Sequence, residues 1–172
     1  MRLPVLTIVG VVALSSTTAV AAPSEILNKT ITVSYTTTIP GKSPEGQAIS
    51  GVRNSVRTVY ISSAGRVFAR VHRRDRDASH TKEAGPGDEA NTFRFEGNKL
   101  VGVQRHVSGA AQMIITWDSG GQSCNATIQS GRDSDRPIQW KGVNGKTYTA
   151  TGPVQTSNIS CSIASGNAFA SQ

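Results

Sequence analysis

Apolar and polar residues alternate along most of the chain, and a period of two is the signature of half-buried β-strands. Ile31, Val33 and Tyr35 alternate with Thr30, Thr32, Ser34 and Thr36, giving one apolar and one hydroxyl-bearing face. Residues 56–61 and 66–72 are rich in β-branched and aromatic side chains, and Ser62-Ser63-Ala64-Gly65 between them reads as a short hairpin turn. Phe93 and Phe95 alternate with Arg94 and Glu96, after which Glu96-Gly97-Asn98-Lys99 turns the chain into 100–107, where Val101, Val103 and Val107 share a face. Ser108-Gly109 turns it again into 112–117, with Met113, Ile115 and Trp117 on one side, and Ser119-Gly120-Gly121 leads to 124–128. Weaker strand signals follow at 138–140, at 146–150 behind an Asn144-Gly145 turn, and at 159–163.

Consecutive hairpins make an antiparallel meander, and a helical period with caps is found nowhere beyond a short turn near residues 24–27. The fold class is therefore all-β. The strands are expected to form an up-and-down barrel or a strongly curled sheet, because closure removes exposed edges; the alternative is a two-sheet β-sandwich. Two segments interrupt the pattern. Residues 40–54 carry Pro40, Gly41, Pro44, Gly46 and Gly51, and residues 73–90 are rich in charge around Gly85-Pro86-Gly87, so both read as long loops that could order on binding.

The longest apolar run lies at the very start and changes the picture of compartment. Residues 1–22 hold a single charge (Arg2), then an apolar stretch from Leu3 to Leu14, then small residues ending in Ala19-Val20-Ala21-Ala22. That is the layout of a cleaved secretory signal peptide, with cleavage after Ala21 or Ala22. The apolar run falls short of the roughly 20 residues a spanning helix needs, so the mature chain is expected to carry no transmembrane segment and to be periplasmic or secreted. Residues 23–164 then form a single β domain, and the tail 165–172, small and polar apart from Phe169, is expected to fray.

An oxidising compartment gives the two cysteines, Cys124 and Cys161, a simple role as one structural disulfide. They stand too far apart for a C-x-x-C redox pair. If they are bridged, the best nucleophile and the soft metal ligands leave the functional inventory.

The net charge of +7, lowered by one when Arg2 departs with the leader, favours an anionic ligand, an anionic macromolecule or the cell-envelope surface as partner. Basic residues are densest between 66 and 82, and the candidate binding residues are Arg70, His72, Arg73, Arg74 and Arg76, with Asp75 and Asp77 as local counter-charges. Guanidinium groups at a strand end bind phosphate, sulfate or carboxylate through paired N–H donors. Nucleic acid is disfavoured, because stacking aromatics are not interleaved with these cations; Phe68 stands alone. The sequons at Asn28, Asn125 and Asn158 are no more than chance supplies in a Ser/Thr-rich chain.

Catalytic chemistry finds little support. No serine sits in a G-x-S-x-G elbow, and no H-E-x-x-H motif is present. His72, His80 and His106 are the only histidines, and their spacing does not require a metal or any other cofactor. The aromatic residues Tyr35, Tyr60, Phe95, Trp117 and Trp140 could line a ligand cavity but stand where core residues are expected. Three functions follow, in descending order of support. The first is an exported, non-enzymatic β domain that binds a small molecule or an anionic surface or macromolecule. The second is a small secreted hydrolase or metalloenzyme using His72 or His106, and the third a structural envelope-associated protein without a discrete site.

Overall fold

The computed structural model describes residues 21–75, 79–106, 109–130, 139–141 and 145–169, with the backbone course alone at 104–106, 109, 110 and 130. A single 3-10 turn at Ser24–Ile26 precedes eleven strands: β1 (Lys29–Lys42), β2 (Ala48–Ile61), β3 (Val67–Arg74), β4 (Ser79–Ala84), β5 (Arg94–Glu96), β6 (Lys99–His106), β7 (Gly109–Trp117), β8 (Cys124–Ser130), β9 (Gln139–Lys141), β10 (Thr147–Ala150) and β11 (Gln155–Ser165). All pairings are antiparallel. The first sheet runs β4-β3-β2-β1-β10-β9, with β11 also paired to β1, and curls strongly into a half-barrel; the second runs β5-β6-β7-β8. The all-β, strongly curled meander with one disulfide is thus the observed architecture.

Alternation decides which side chains meet between the sheets. Ile31, Val33 and Tyr35 of β1 and Val59 and Ile61 of β2 pack against Leu100, Met113, Ile115, Trp117 and Ala126 of the second sheet, with Ile26 added from the 3-10 turn. Among the described residues, the fully buried side chains of this layer include Ile26, Ile31, Ile61, Leu100 and Ile115. Each is worth about 1.5–3 kcal/mol relative to exposure, so this layer is the main source of stability. Cys124 of β8 and Cys161 of β11 flank the same core and are joined by a disulfide with a Cα–Cα separation of 5.6 Å, linking the second sheet to the first.

The structure corrects two expectations and fills in a third. Residues 40–54 are a hairpin rather than a loop: β1 and β2 pair continuously from Lys29↔Ile61 to Lys42↔Ala48, and only Ser43–Gln47 turns, with Gly46 at φ 82°. Residues 73–90 likewise contain the end of β3 and all of β4. That strand has no apolar alternation because it is an edge, held by cross-strand polar pairs and blunted by charge. On β6, Leu100 faces the core cluster with Gly102 on the same side, while Val101 and Val103 share the opposite face, where Val101 is fully buried as well. A Cβ at Gly102 would lie 2.5 Å from the Phe93 ring, so the glycine makes room for an aromatic arriving from the neighbouring loop. Val107, placed on the same face by the sequence pattern, lies outside the described residues.

Residues 1–20 also lie outside the described residues; Ala22 packs against the core. At the other end, Gly166 N–H donates to Asn28 O, Ala168 N–H donates to Thr30 Oγ1 at 3.2 Å, and Phe169 lies under the Arg70 guanidinium, 4.5 Å from its ring centre. The tail is thereby laid across the outer face of β1 and β3 as far as Phe169.

The end of the molecule nearest the 3-10 turn is closed by polar contacts. Trp117 Nε1 donates to Glu25 Oε1 (3.1 Å), and Lys29 Nζ donates to the carbonyls of Gly120 and Gly121 (3.1 and 2.8 Å). Asp118 caps the β7–β8 turn by accepting from Gln122 N–H, Ser123 N–H and the Ser123 hydroxyl, and these hydrogen bonds hold its carboxyl below the usual range. Gly121 stands in the left-handed region (φ 59°), and a Cβ there would be 2.4 Å from Glu25 O. Gly121→Ala is therefore expected to lose about 1–3 kcal/mol of stability in denaturant unfolding. It should also shift the Trp117 emission as the turn moves off Glu25. A neutral substitution would show that this close approach is not kept in solution.

Candidate anion-binding site

The face of the first sheet that forms the core does not stay apolar along its length. Register places Ile31, Val59 and Ala69 in one row, then Val33, Arg57, Val71 and Lys82, then Tyr35, Ser55, Arg73 and His80, then Thr37 with Arg53. Side chains directly opposite on neighbouring strands share a face, with diagonal neighbours about 7–8 Å apart. Arg73 thus stands opposite Ser55 and diagonally between Arg57 and Arg53, so three guanidinium groups surround one serine. Tyr35 and Ser55 are buried beneath them, at 8% and 3% exposure. We refer to this as the inner face.

The three arginines are not equivalent. Arg53 is oriented by Asp75, whose carboxylate accepts from Nε at 2.5 Å and from Nη2 at 2.9 Å. This pair raises the Arg53 pKa and lowers that of Asp75. Two of the five N–H donors of Arg53 are used, and the rest stay available. Arg73 is partly buried, and among the described residues its side chain makes no hydrogen bond or ion pair. Burial, followed by repulsion from Arg57, pulls its pKa below the ordinary value. An arginine stays protonated under such pressure, and the attraction of Asp75, whose carboxylate is already bonded to Arg53, offsets the cost only in part. An oxyanion placed against Arg73 would relieve it through paired, charge-assisted hydrogen bonds.

The residues singled out in the sequence divide between the two faces. Arg70, His72 and Arg74 alternate onto the outer face; Arg73 lies on the inner one. Arg70 donates from Nε to Glu83 Oε1 at 2.6 Å and covers Phe169. His72 Nδ1 shares a hydrogen bond with Thr81 Oγ1 at 2.9 Å, and Arg74 is exposed at the strand end. Arg76 lies outside the described residues, as does the His106 side chain. Among the described residues, no group of three or more His, Cys, Asp or Glu side chains is placed to hold a metal ion. None of their helices is long and apolar enough to cross a membrane.

Arg53 and Arg57 were missed by sequence reasoning. The signal was present, since Arg53, Ser55 and Arg57 alternate as Ile31, Val33 and Tyr35 do. Composition hides it: proline and glycine make residues 40–54 read as a loop, which leaves Arg53 outside the strand that begins at Val56, while Arg57, inside that strand, stands apart from the dense basic run at 66–82. The aromatic residues also separate. Tyr35 and Trp117 are in the core, whereas Tyr60 lies on the outer face, 5.9 Å from Phe68, with its hydroxyl donating to Asn28 Oδ1.

A shallow open depression of about 190 Å³ at the β7–β8 turn, lined by Thr116, Trp117, Asp118, Ser123, Cys124 and Asn125, is smaller than ordinary small-molecule sites. The inner-face arginines are therefore the stronger candidate. Comparison with known families, curated proteins and solved structures finds no match to this chain.

Proposed function

We propose that this protein is an exported, disulfide-stapled binding domain without catalytic activity, and that it takes an anionic ligand on the inner-face arginines. The observation that carries this reading is the partly buried Arg73, flanked by Arg57 and Arg53 and without an ion-pair partner among the described residues. A partly buried charge without an ion-pair partner is costly in a folded domain, and charged groups perturbed in this way are enriched at ligand sites. A ligand enclosed between the sheets is less favoured, because that space is occupied by core side chains. Export is supported by the leader-like residues 1–22 and is compatible with the Cys124–Cys161 bridge.

Dextran sulfate, with neutral dextran as control, tests the reading. Dextran sulfate is expected to bind the wild-type protein and to weaken steeply between low and physiological salt, as screened charge requires. Arg73→Gln should weaken it on the order of tenfold, since a hydrogen bond between charged groups contributes about 1.5–3 kcal/mol. Arg74→Gln, on the outer face, should leave it unchanged. If Arg73→Gln has no effect, or Arg74→Gln has the larger one, the inner-face site is wrong.

A further inference from the structure

The inner face continues past Arg53 into a second feature. Next along β1 and β2 come Ile39 with Gly51 and Gly41 with Ile49. A side chain at either glycine would point at the same ring: a Cβ on Gly41 would lie 2.4 Å from Trp140 Cη2, and one on Gly51 3.4 Å from Trp140 Cζ2. Trp140, reaching over from β9, thus lies across Gly41 and Gly51, two positions on neighbouring strands that place no side chain beneath the ring. Tyr148, its cross-strand partner on β10, stacks with it at 5.6 Å between ring centres and 21° between planes. Both rings are partly exposed. This is an aromatic shelf at the edge of the cation cluster. Arg53 stands two residues beyond Gly51, about 7 Å along the strand, and Arg57 about 14 Å further.

We infer that the arginine cluster and the Trp140–Tyr148 shelf form one elongated site for an acidic glycan, its carboxylate or sulfate groups on Arg53, Arg57 and Arg73 and a sugar ring against the indole. The inference rests on the anion-binding reading above and adds the chemical class of the ligand. Cations repeated along a strand suit a polymer with charge at each repeat better than a single compact anion. The apolar C–H face of a pyranose packs on an aromatic surface, while its hydroxyls stay in water. Single-stranded nucleic acid fits less well, because it uses separate rings for successive bases, and the two rings here already stack on each other. A membrane surface fits less well too. The exposed large apolar side chains of the described residues are Val52 and Ile159, and Val52, opposite Thr38, alternates onto the outer face away from the arginines.

Binding of four probes to the full mature chain tests this: oligogalacturonate, neutral dextran, inorganic polyphosphate and a single-stranded oligonucleotide. Oligogalacturonate is expected to bind, to perturb tryptophan emission, and to weaken about fivefold in Trp140→Ala, the scale of one aromatic contact near 1 kcal/mol. Trp140→Phe should keep most of the affinity, which separates loss of the ring from loss of the fold. Polyphosphate, which has charge but no rings, should respond to Arg73→Gln and not to Trp140→Ala; dextran should not bind. Arg73→Gln weakening every polyanion while both Trp140 variants weaken none would overturn the glycan assignment and leave the anion site standing. Equal or greater Trp140 dependence with the oligonucleotide would overturn it in favour of a base. Arg73→Gln leaving all the polyanions unaffected would remove the underlying reading itself.

Discussion

Removal of the Cys124–Cys161 bridge is expected to lower stability by about 4 kcal/mol on the chain-entropy relation for a closed loop of 37 residues. The position of the bridge gives this number structural weight. Cys124 begins β8 at the edge of the second sheet, and Cys161 lies on β11, paired to Val33 of the first. Among the described residues no ladder of backbone pairs joins β8 to β11, so the bridge cross-links two sheets that are otherwise held by the apolar core and by the Lys29 and Trp117 hydrogen bonds at one end. Denaturant unfolding of the oxidised protein, the reduced protein and Cys124→Ala/Cys161→Ala separates two contributions. The reduced form loses the cross-link; the double variant also loses sulfur packing beside the core. Emission of Trp117, which stands opposite Cys124, reports whether the second sheet loosens first. A loss under about 1 kcal/mol on reduction would show that the core alone holds the sheets in register and that the bridge adds little.

Local signals in the sequence were enough where alternation and turn chemistry agreed. The Ser62–Gly65 turn forms with Gly65 at φ 72°, and β7 presents Met113, Ile115 and Trp117 to the core as the pattern implies. Composition misleads where a partner from elsewhere decides what a position needs. On β6, Gly102 stands in the core-facing row beside Leu100 because Phe93, a residue outside the strand, fills the space over it. The same holds for 40–54, where proline and glycine mark a loop by composition. In the fold, Gly41 and Gly51 are strand residues kept small by Trp140, a contact 89 residues away from Gly51 along the chain.

The residues of the proposed site are legible only in part for a related reason. A cluster in sequence is not a cluster on one face, because neighbours in a strand point oppositely. Arg70, His72 and Arg74 share the outer face and are drawn into local pairs with Glu83, Phe169 and Thr81 or left in solvent. Arg73 instead joins Arg53 and Arg57, which come from the preceding strand and could be associated with it only through the β2–β3 register. That register depends on the hairpin turn, so an inner-face charge cluster follows from correct strand ends rather than from local charge density.

Ile115→Ala is expected to cost about 2–5 kcal/mol, toward the upper part of that range. The side chain has no exposure, stands between Leu100 and Ala126 on its own sheet, and faces the aliphatic residues of β1 and β2. Collapse into the vacated space is restrained from both sides. Strand β8, its neighbour, is fixed by the disulfide, and β7 is held at its end by Trp117 on Glu25. The alanine should therefore leave a void rather than a repacked core, and void volume sets the size of the penalty. Ile115→Val, which removes one methylene, should cost about 0.5–1.5 kcal/mol. The decisive control is the adjacent Ile114, which alternates onto the opposite face and is only partly buried; Ile114→Ala should cost no more than about 1 kcal/mol in the same denaturant titration. An equal loss at both positions would mean that the outer face of the second sheet is buried against something as substantial as the core.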